Sequence, residues 1–464
     1  MPVWRRLAPR TKWQYKEGLE MVKVFRLLLV VGLMLSGIAT AAQEEVTITA
    51  RCQANIAGGE GWRCDNFAAV EEQVEQELGI NLTLNIIQDS KGWADYKTEF
   101  VLAAEAGEAP DIILSGHEDI GAWAAAGLII PLDDLIAQHE EFADVVPNLW
   151  VSQTYDGKIW GIPQDAEARP IFYSKLLLSD LGWSDEEIAS LPERVRTGEF
   201  TFEDMLATAE QAVAEGVVEP GKGYYHRWGN GFDWLPYYLG NGGEIMTEDG
   251  QLVFDRDAAL AAYELIGSFV KRGVTPETMI GTESSAIYAE FAPAENVLFY
   301  QGGTWQWADW ARNYVADLGG NDFLLENVGL MLFPAMNDGV PLSLTHPLSY
   351  MISSGSEHPD VAMALLAAVT TPEANNRHAI DSFHLGILTT QVESEAYAAN
   401  PVLSGAHYML DYTRFAPNTP FYSAWSNAYW AGIQAAHTGT PAEEAVELAV
   451  TQLQNELGDQ IVIR

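Results

Sequence analysis

Apolar positions along the chain follow two rhythms. Val46–Ala50 is a β-rich run and Ile80–Ile87 alternates apolar with polar residues, so both read as strands. Between them Phe67, Val70, Val74 and Leu78 recur at the spacing of one helix face, with Gly79 as the stop. Trp93–Ala106 repeats the helical pattern and ends at Gly107, and Ile112–Leu114 is a short apolar strand after Pro110. This β-α-β-α-β order predicts a parallel sheet with helices on its faces. Further along, Thr201 with Asp204 predicts a capped helix running to about Gly216. Thr440-Pro441 with Glu443 predicts another, capped by Thr440 and ending at Gly458. Val328–Phe333 reads as a strand and Pro359–Thr370 as an Ala-rich helix. No Gly/Pro/Ser linker separates the halves, so a chain of two or three domains is expected to cross between its lobes more than once.

The front end changes the picture. Lys23 and Arg26 precede the apolar run Leu27–Ile38, and Ala39-Thr40-Ala41 is a small-x-small cleavage site, so residues 1–42 read as an export signal with an upstream extension. The run is too short for a membrane-spanning helix. Leu35-Ser36-Gly37 resembles the front of a lipoprotein signal, but Ile38 stands where the lipid-bearing Cys belongs. A periplasmic, unanchored protein is expected. Of 25 Lys+Arg and 65 Asp+Glu, residues 1–42 hold seven and two, leaving 18 against 63 beyond them. So negative a surface repels phosphate backbones and anionic lipids, which argues against nucleic-acid partners.

Little material exists for catalysis. The chain has two Cys and nine His, and no phosphate loop, H-E-x-x-H or G-x-S-x-G motif, so no metal or cofactor is expected. Cys52 and Cys64 are the only cysteines; an oxidising compartment favours a disulfide between them, with two free buried thiols as the alternative. What stands out is aromatic clustering among 15 Trp, 18 Tyr and 17 Phe. Tyr224–Tyr238, Trp305–Trp310 and Phe421–Trp430 concentrate them. Flat rings suit the C–H faces of sugars, and acids at the rim suit the hydroxyls. Ordinary core packing is the competing reading of any single Trp.

An ordered set of segments carries a family resemblance: Ala109-Pro110-Asp111-Ile112-Ile113, Gly127–Asp134, Tyr155–Pro163, Phe172-Tyr173-Ser174-Lys175, Gly302-Gly303-Thr304-Trp305, and Ser353–Pro359 leading into Asp360–Leu366. The set resembles the extracytoplasmic solute-binding proteins of carbohydrate ABC importers, the maltose-binding-protein-like family. The resemblance implies an α/β fold: a two-lobed, type II periplasmic-binding clamp whose lobes are mainly parallel sheets flanked by helices and joined by hinge crossovers. It places one lobe at 43–166 plus 349–396 and the other at 167–348 plus 397–464, with ligand at the carboxyl ends of the strands. Ser115, Glu118 and Asp119 fall on family contact positions, as do Glu167 beside Arg169 and the stacking ring Trp305. Asp165, Trp234, Trp307 and Trp425 complete the candidate ligand set.

The function so implied is capture of a sugar (oligosaccharide, glycoside or polyol) by a monomer, and its delivery to ABC permease subunits in the inner membrane without catalysis. If Arg169, Arg227 and Arg414 face the cleft, the ligand is instead acidic or phosphorylated, since guanidinium matches those anions. A third reading is an exported carbohydrate-active enzyme, which needs two carboxyls at a set separation across a cleft.

Overall fold

The computed structural model describes residues 43–247 and 249–464; the export signal expected over 1–42 lies outside the described residues. The first strands are Glu45–Gln53, Asn81–Asp89 and Ile112–Gly116, paired in parallel with Glu45–Gln53 in the middle. Helices Trp62–Leu78 and Trp93–Ala106 connect them. Both helices end at the glycines expected, Gly79 and Gly107, at φ 68° and 74°. A residue with a Cβ is strained there.

Two further strands make this sheet mixed. Leu348–Ile352 runs antiparallel to Ile112–Gly116, and Ile162–Pro163 runs antiparallel to Leu348–Ile352 in turn. Leu348–Ile352 does not arrive through a helical crossover. It follows a second sheet, ordered Val328–Met331, Ile171–Ser174, Phe299–Gln301, Tyr224–Tyr225. The chain thus leaves the first sheet after Pro163, enters the second at Ile171, and returns at Leu348. Leu385, after helix Pro372–Ser382, pairs with Ala166 of the first connection.

Each sheet has its own core. Val46, Ile48, Phe67, Val74, Ile112 and Leu114 pack with Leu365 and Leu366 of helix Pro359–Val369 around the first. A larger core around the second joins Tyr173, Phe202, Tyr224 and Phe299 to helices Arg256–Lys271, Tyr422–His437 and Ala442–Leu457. Two sheets with separate cores and crossing connections make a two-lobed α/β clamp.

Two boundaries differ from expectation. Strand Val328–Met331 stops early, although Phe333 still pairs with Leu342. Thr440 does not cap the last long helix, which starts at Ala442 after an extended Pro441. The Thr440 N–H instead donates to the Ala435 carbonyl and closes the preceding helix. Thr201 does form the capping box with Asp204.

Cys52, at the end of the first strand, is disulfide-bonded to Cys64 in the helix that follows, and both are fully buried. A crosslink closing so short a loop stabilises mainly by restricting the unfolded chain. Reduction, or Cys52→Ser with Cys64→Ser, is expected to lower stability by roughly 2–4 kcal/mol, read as a fall in Tm by calorimetry with and without reductant.

Candidate functional site

A cavity of about 320 Å³ lies between the halves of the molecule. Segments far apart in the chain build it. The loop bracketed by the disulfide supplies Gln53, Asn55, Glu60 and Arg63. The Asn55 side chain accepts from the Gly58 N–H and shapes this loop into a single tight turn. The disulfide therefore pins one wall of the cavity as well as the fold.

The second segment is the first crossing. In Asp165-Ala166-Glu167-Ala168-Arg169 the charged residues line the cavity while Ala166 and Ala168 are fully buried in the larger core. This is the period-two alternation of extended chain. Its backbone is fixed from the return crossing: Thr345 Oγ1 accepts from the Glu167 N–H at 3.0 Å, and Ser343 Oγ from the Arg169 N–H at 3.2 Å. Trp305 comes from the turn after strand Phe299–Gln301. A Cβ on Gly303 would lie 1.7 Å from the Trp305 ring, so only glycine lets the indole fold back. The ring lies 4.8 Å under the Arg169 guanidinium and nearly parallel to His384 at 6.0 Å.

Charges in the cavity are paired. Arg63 is 2.5 Å from Glu60 and 3.3 Å from Asp165. Arg169 bridges Glu167 at 2.5 Å and Asp233 at 2.8 Å, and Arg227 reaches the same Asp233 oxygen at 3.3 Å. Burial works to raise the Asp165 carboxyl, but His384, His378 and Arg63 outweigh it and hold it well below the usual carboxylate range. Burial raises Glu167 despite the opposing Arg169. It also pushes His384 far below its usual range. Asp165, His378 and His384 are close enough together to ligate a metal ion. The Arg63 guanidinium, 3.3 Å from Asp165 and 3.4 Å from His384 Nε2, already supplies the cation there.

The remaining sequence candidates lie elsewhere. Ser115, Glu118 and Asp119 do not line the cavity. Lys97 sits 2.7 Å from Glu118 and 2.8 Å from Asp119, the Ser115 hydroxyl donates to Asp119 at 2.6 Å, and His346 is 2.6 Å from Glu118. These groups satisfy one another. Trp234, Trp307 and Trp425 are core, at most 1% exposed. Their indole N–H groups donate to Gly229, Asn321 and Val253 at 2.8 Å each, which leaves neither face nor edge for the cleft. Arg414 is exposed and away from the cavity. Sequence reading missed Gln53, Asn55, Glu60, Arg63, Trp93, His346 and His384 as lining residues.

The halves touch on both sides of the cavity. Gly121 packs so closely on the segment before helix Tyr422–His437 that a Cβ would lie 2.5 Å from the Thr419 nitrogen. Beside it Asn418 donates to the Ser152 and Thr154 carbonyls at 2.6 and 3.0 Å. On the other side Arg312 donates to the Asp381 carbonyl and carboxylate next to Gly59.

The profile described as bacterial extracellular solute-binding protein matches residues 66–376. The chain belongs to that family. Among its relatives is the diacetylchitobiose binding protein DasA of Streptomyces coelicolor, 23% identical over 278 residues, which are 59% of this chain and 59% of that one. The chain thus matches about three fifths of that relative's length. The maltotriose-binding protein of Pyrococcus abyssi is 21% identical over 371 residues, 78% of this chain and 72% of that one. In structure the chain resembles the GacH receptor of Streptomyces glaucescens at a TM-score of 0.71 and 19% identity, covering 89% of this chain and 99% of that one. The fold is therefore the type II clamp.

Two acids sharing Lys97 cannot both ionise cheaply. Burial and the neighbouring Glu118 push the Asp119 carboxyl up to about 6 despite Lys97. His346 and Lys97 hold Glu118 well below its usual range against burial. A raised carboxyl opposes folding once the pH is high enough to ionise it in the folded state, and this penalty fades as the pH falls towards its unfolded value. Asp119→Asn is accordingly expected to raise stability by about 1–2 kcal/mol above pH 6, and the gain to shrink towards pH 4. Glu118→Gln is expected to lower it over the same range. Denaturant melts at several pH values check both signs.

Proposed function

We propose that this protein captures a neutral sugar outside the cytoplasmic membrane and hands it, unchanged, to the permease subunits of an ABC importer. The observation that carries the reading is the cavity itself: every guanidinium lining it already has a carboxylate partner. Such a wall offers donors and acceptors side by side, which suits vicinal hydroxyls, and charge-assisted bonds of this kind contribute roughly 1.5–3 kcal/mol each. Trp305 adds an apolar surface beside them. Relatives named for diacetylchitobiose and maltotriose support a saccharide ligand. We take 43–166 with 349–396 and 167–348 with 397–464 as the lobes of a monomer. We take the protein to be exported and free of lipid, because Ile38 replaces the cysteine that would carry it.

The acidic or phosphorylated sugar is the second reading. Three arginines do converge, and the buried Arg63 and Arg169 Nε atoms have no partner among the described residues. An anion would nevertheless have to displace Glu60, Asp165, Glu167 or Asp233 from those guanidiniums, at the cost of an uncompensated buried charge.

A panel of neutral sugars, uronates and sugar phosphates separates the readings. A neutral sugar at about 100 times its Kd is expected to stabilise the protein by about 2.7 kcal/mol, seen as a rise in Tm and a change in Trp fluorescence. A rise confined to the anions overturns neutrality, and turnover of a chromogenic glycoside overturns the non-catalytic reading. Closure has its own test. Gly121→Val places a side chain against Thr419 and is expected to lower sugar affinity about tenfold with little change in the Tm of the free protein, as titration calorimetry would read.

A further inference from the structure

The cavity stops short of Ser115, Glu118 and Asp119 at His346, which binds Glu118, and the Phe232 ring packs behind His346. We propose, on the sugar-binding reading above, that Phe232 is the end wall of the cleft and limits the ligand to one or two sugar rings. The Phe232 ring is 4.2 Å from that of His346 and 6.0 Å from the Arg169 guanidinium, and both of those residues line the cavity. On its other sides lie the buried rings of Tyr422, stacked at 5.6 Å and 13°, and His117 at 6.1 Å.

The wall is held from both ends. His346 is bound to Glu118, and Glu118 to Lys97, so His346 is held in place against the ring. Phe232 itself opens the short turn Phe232–Trp234. The next residue, Asp233, takes both Arg169 and Arg227, and the one after it, Trp234, is anchored in the core with its N–H on Gly229. Three consecutive residues thus give a wall, a charge clamp and a core anchor. The backbone that carries the ring cannot shift without disturbing the ion pairs of the cavity. With the halves in contact on both sides, about 320 Å³ remains, at the small end of the roughly 300–1,000 Å³ range of ligand pockets.

The test is a length series. Gluco-, galacto-, manno-, xylo- and N-acetylglucosamine oligosaccharides of one to four rings are titrated into the wild type and into Phe232→Ala. His346→Ala, which opens the same end from the cavity side, is the second variant. In the series that binds, wild-type affinity is expected to fall about tenfold or more beyond two rings. In either folded variant that fall is expected to shrink, with three- and four-ring sugars gaining. Wild-type binding that ignores length overturns the wall alone, as does an unchanged length preference in both variants. Absence of binding by every sugar overturns the sugar reading, and the wall with it.

Discussion

Burying charge is the constraint on which this molecule is built. An isolated ion moved out of water is costly, and the cost is met only when partners sit at hydrogen-bond distance. Between its two sheets the chain places Arg63, Asp165, Glu167, Arg169 and Asp233, none more than 6% exposed. They are tolerated because they form two connected sets, Glu60–Arg63–Asp165 and Glu167–Arg169–Asp233–Arg227. Asp165 and Glu167 lie on one crossing strand, so the sets share a backbone. By the lobe boundaries proposed above, the first set belongs to 43–166 and the second to 167–348, so the crossing joins one set from each half. The cavity is therefore defined by where these pairs leave room, and the fold positions them through short crossings hydrogen-bonded to one another at Glu167 and Arg169.

The same logic separates the two ends of the cleft. At the cavity end, pairs are arranged around space. At the Glu118 end they are arranged around each other: two acids, one lysine and His346 pair among themselves. A carboxylate whose lone pairs are already taken by Lys97 and a histidine has little left for a hydroxyl. Family position alone does not predict that, because it depends on which residue stands at 97, in a different helix, and at 346, on the return crossing.

This is also where the sequence was legible and where it was not. Local signals worked: glycine stops at 79 and 107, the Thr201–Asp204 capping box, and the period-two strands of the first sheet all depend on neighbours a few residues away. The pairing of Cys52 with Cys64 needed only a count and an expected compartment. The aromatic clusters were only partly legible: Trp305 lines the cavity, whereas Trp234, Trp307 and Trp425 find indole N–H partners inside the core, and spacing does not report which. Asp165-Ala166-Glu167-Ala168-Arg169 carried a usable signal in its alternation of charge with alanine. Isolated residues such as His346 and His384 carried none, since each enters the cavity through contacts more than 200 residues away in sequence.

Net charge supplies the last step. The chain carries −40 formally, and the part beyond residue 42 is more negative still. Such a surface repels small anions before they reach the cleft, although salt shortens the reach of that field to about 8–10 Å. Inside, an anion meets guanidiniums whose charge is already balanced by four carboxylates, so the local field adds no compensating pull. A neutral polyhydroxyl ligand feels neither penalty. It exchanges water for fixed donors and acceptors whose own desolvation cost was met on folding, which is the advantage of a preorganised polar site. Long-range repulsion and short-range pairing thus act in the same direction, and both favour an uncharged guest over an anionic one.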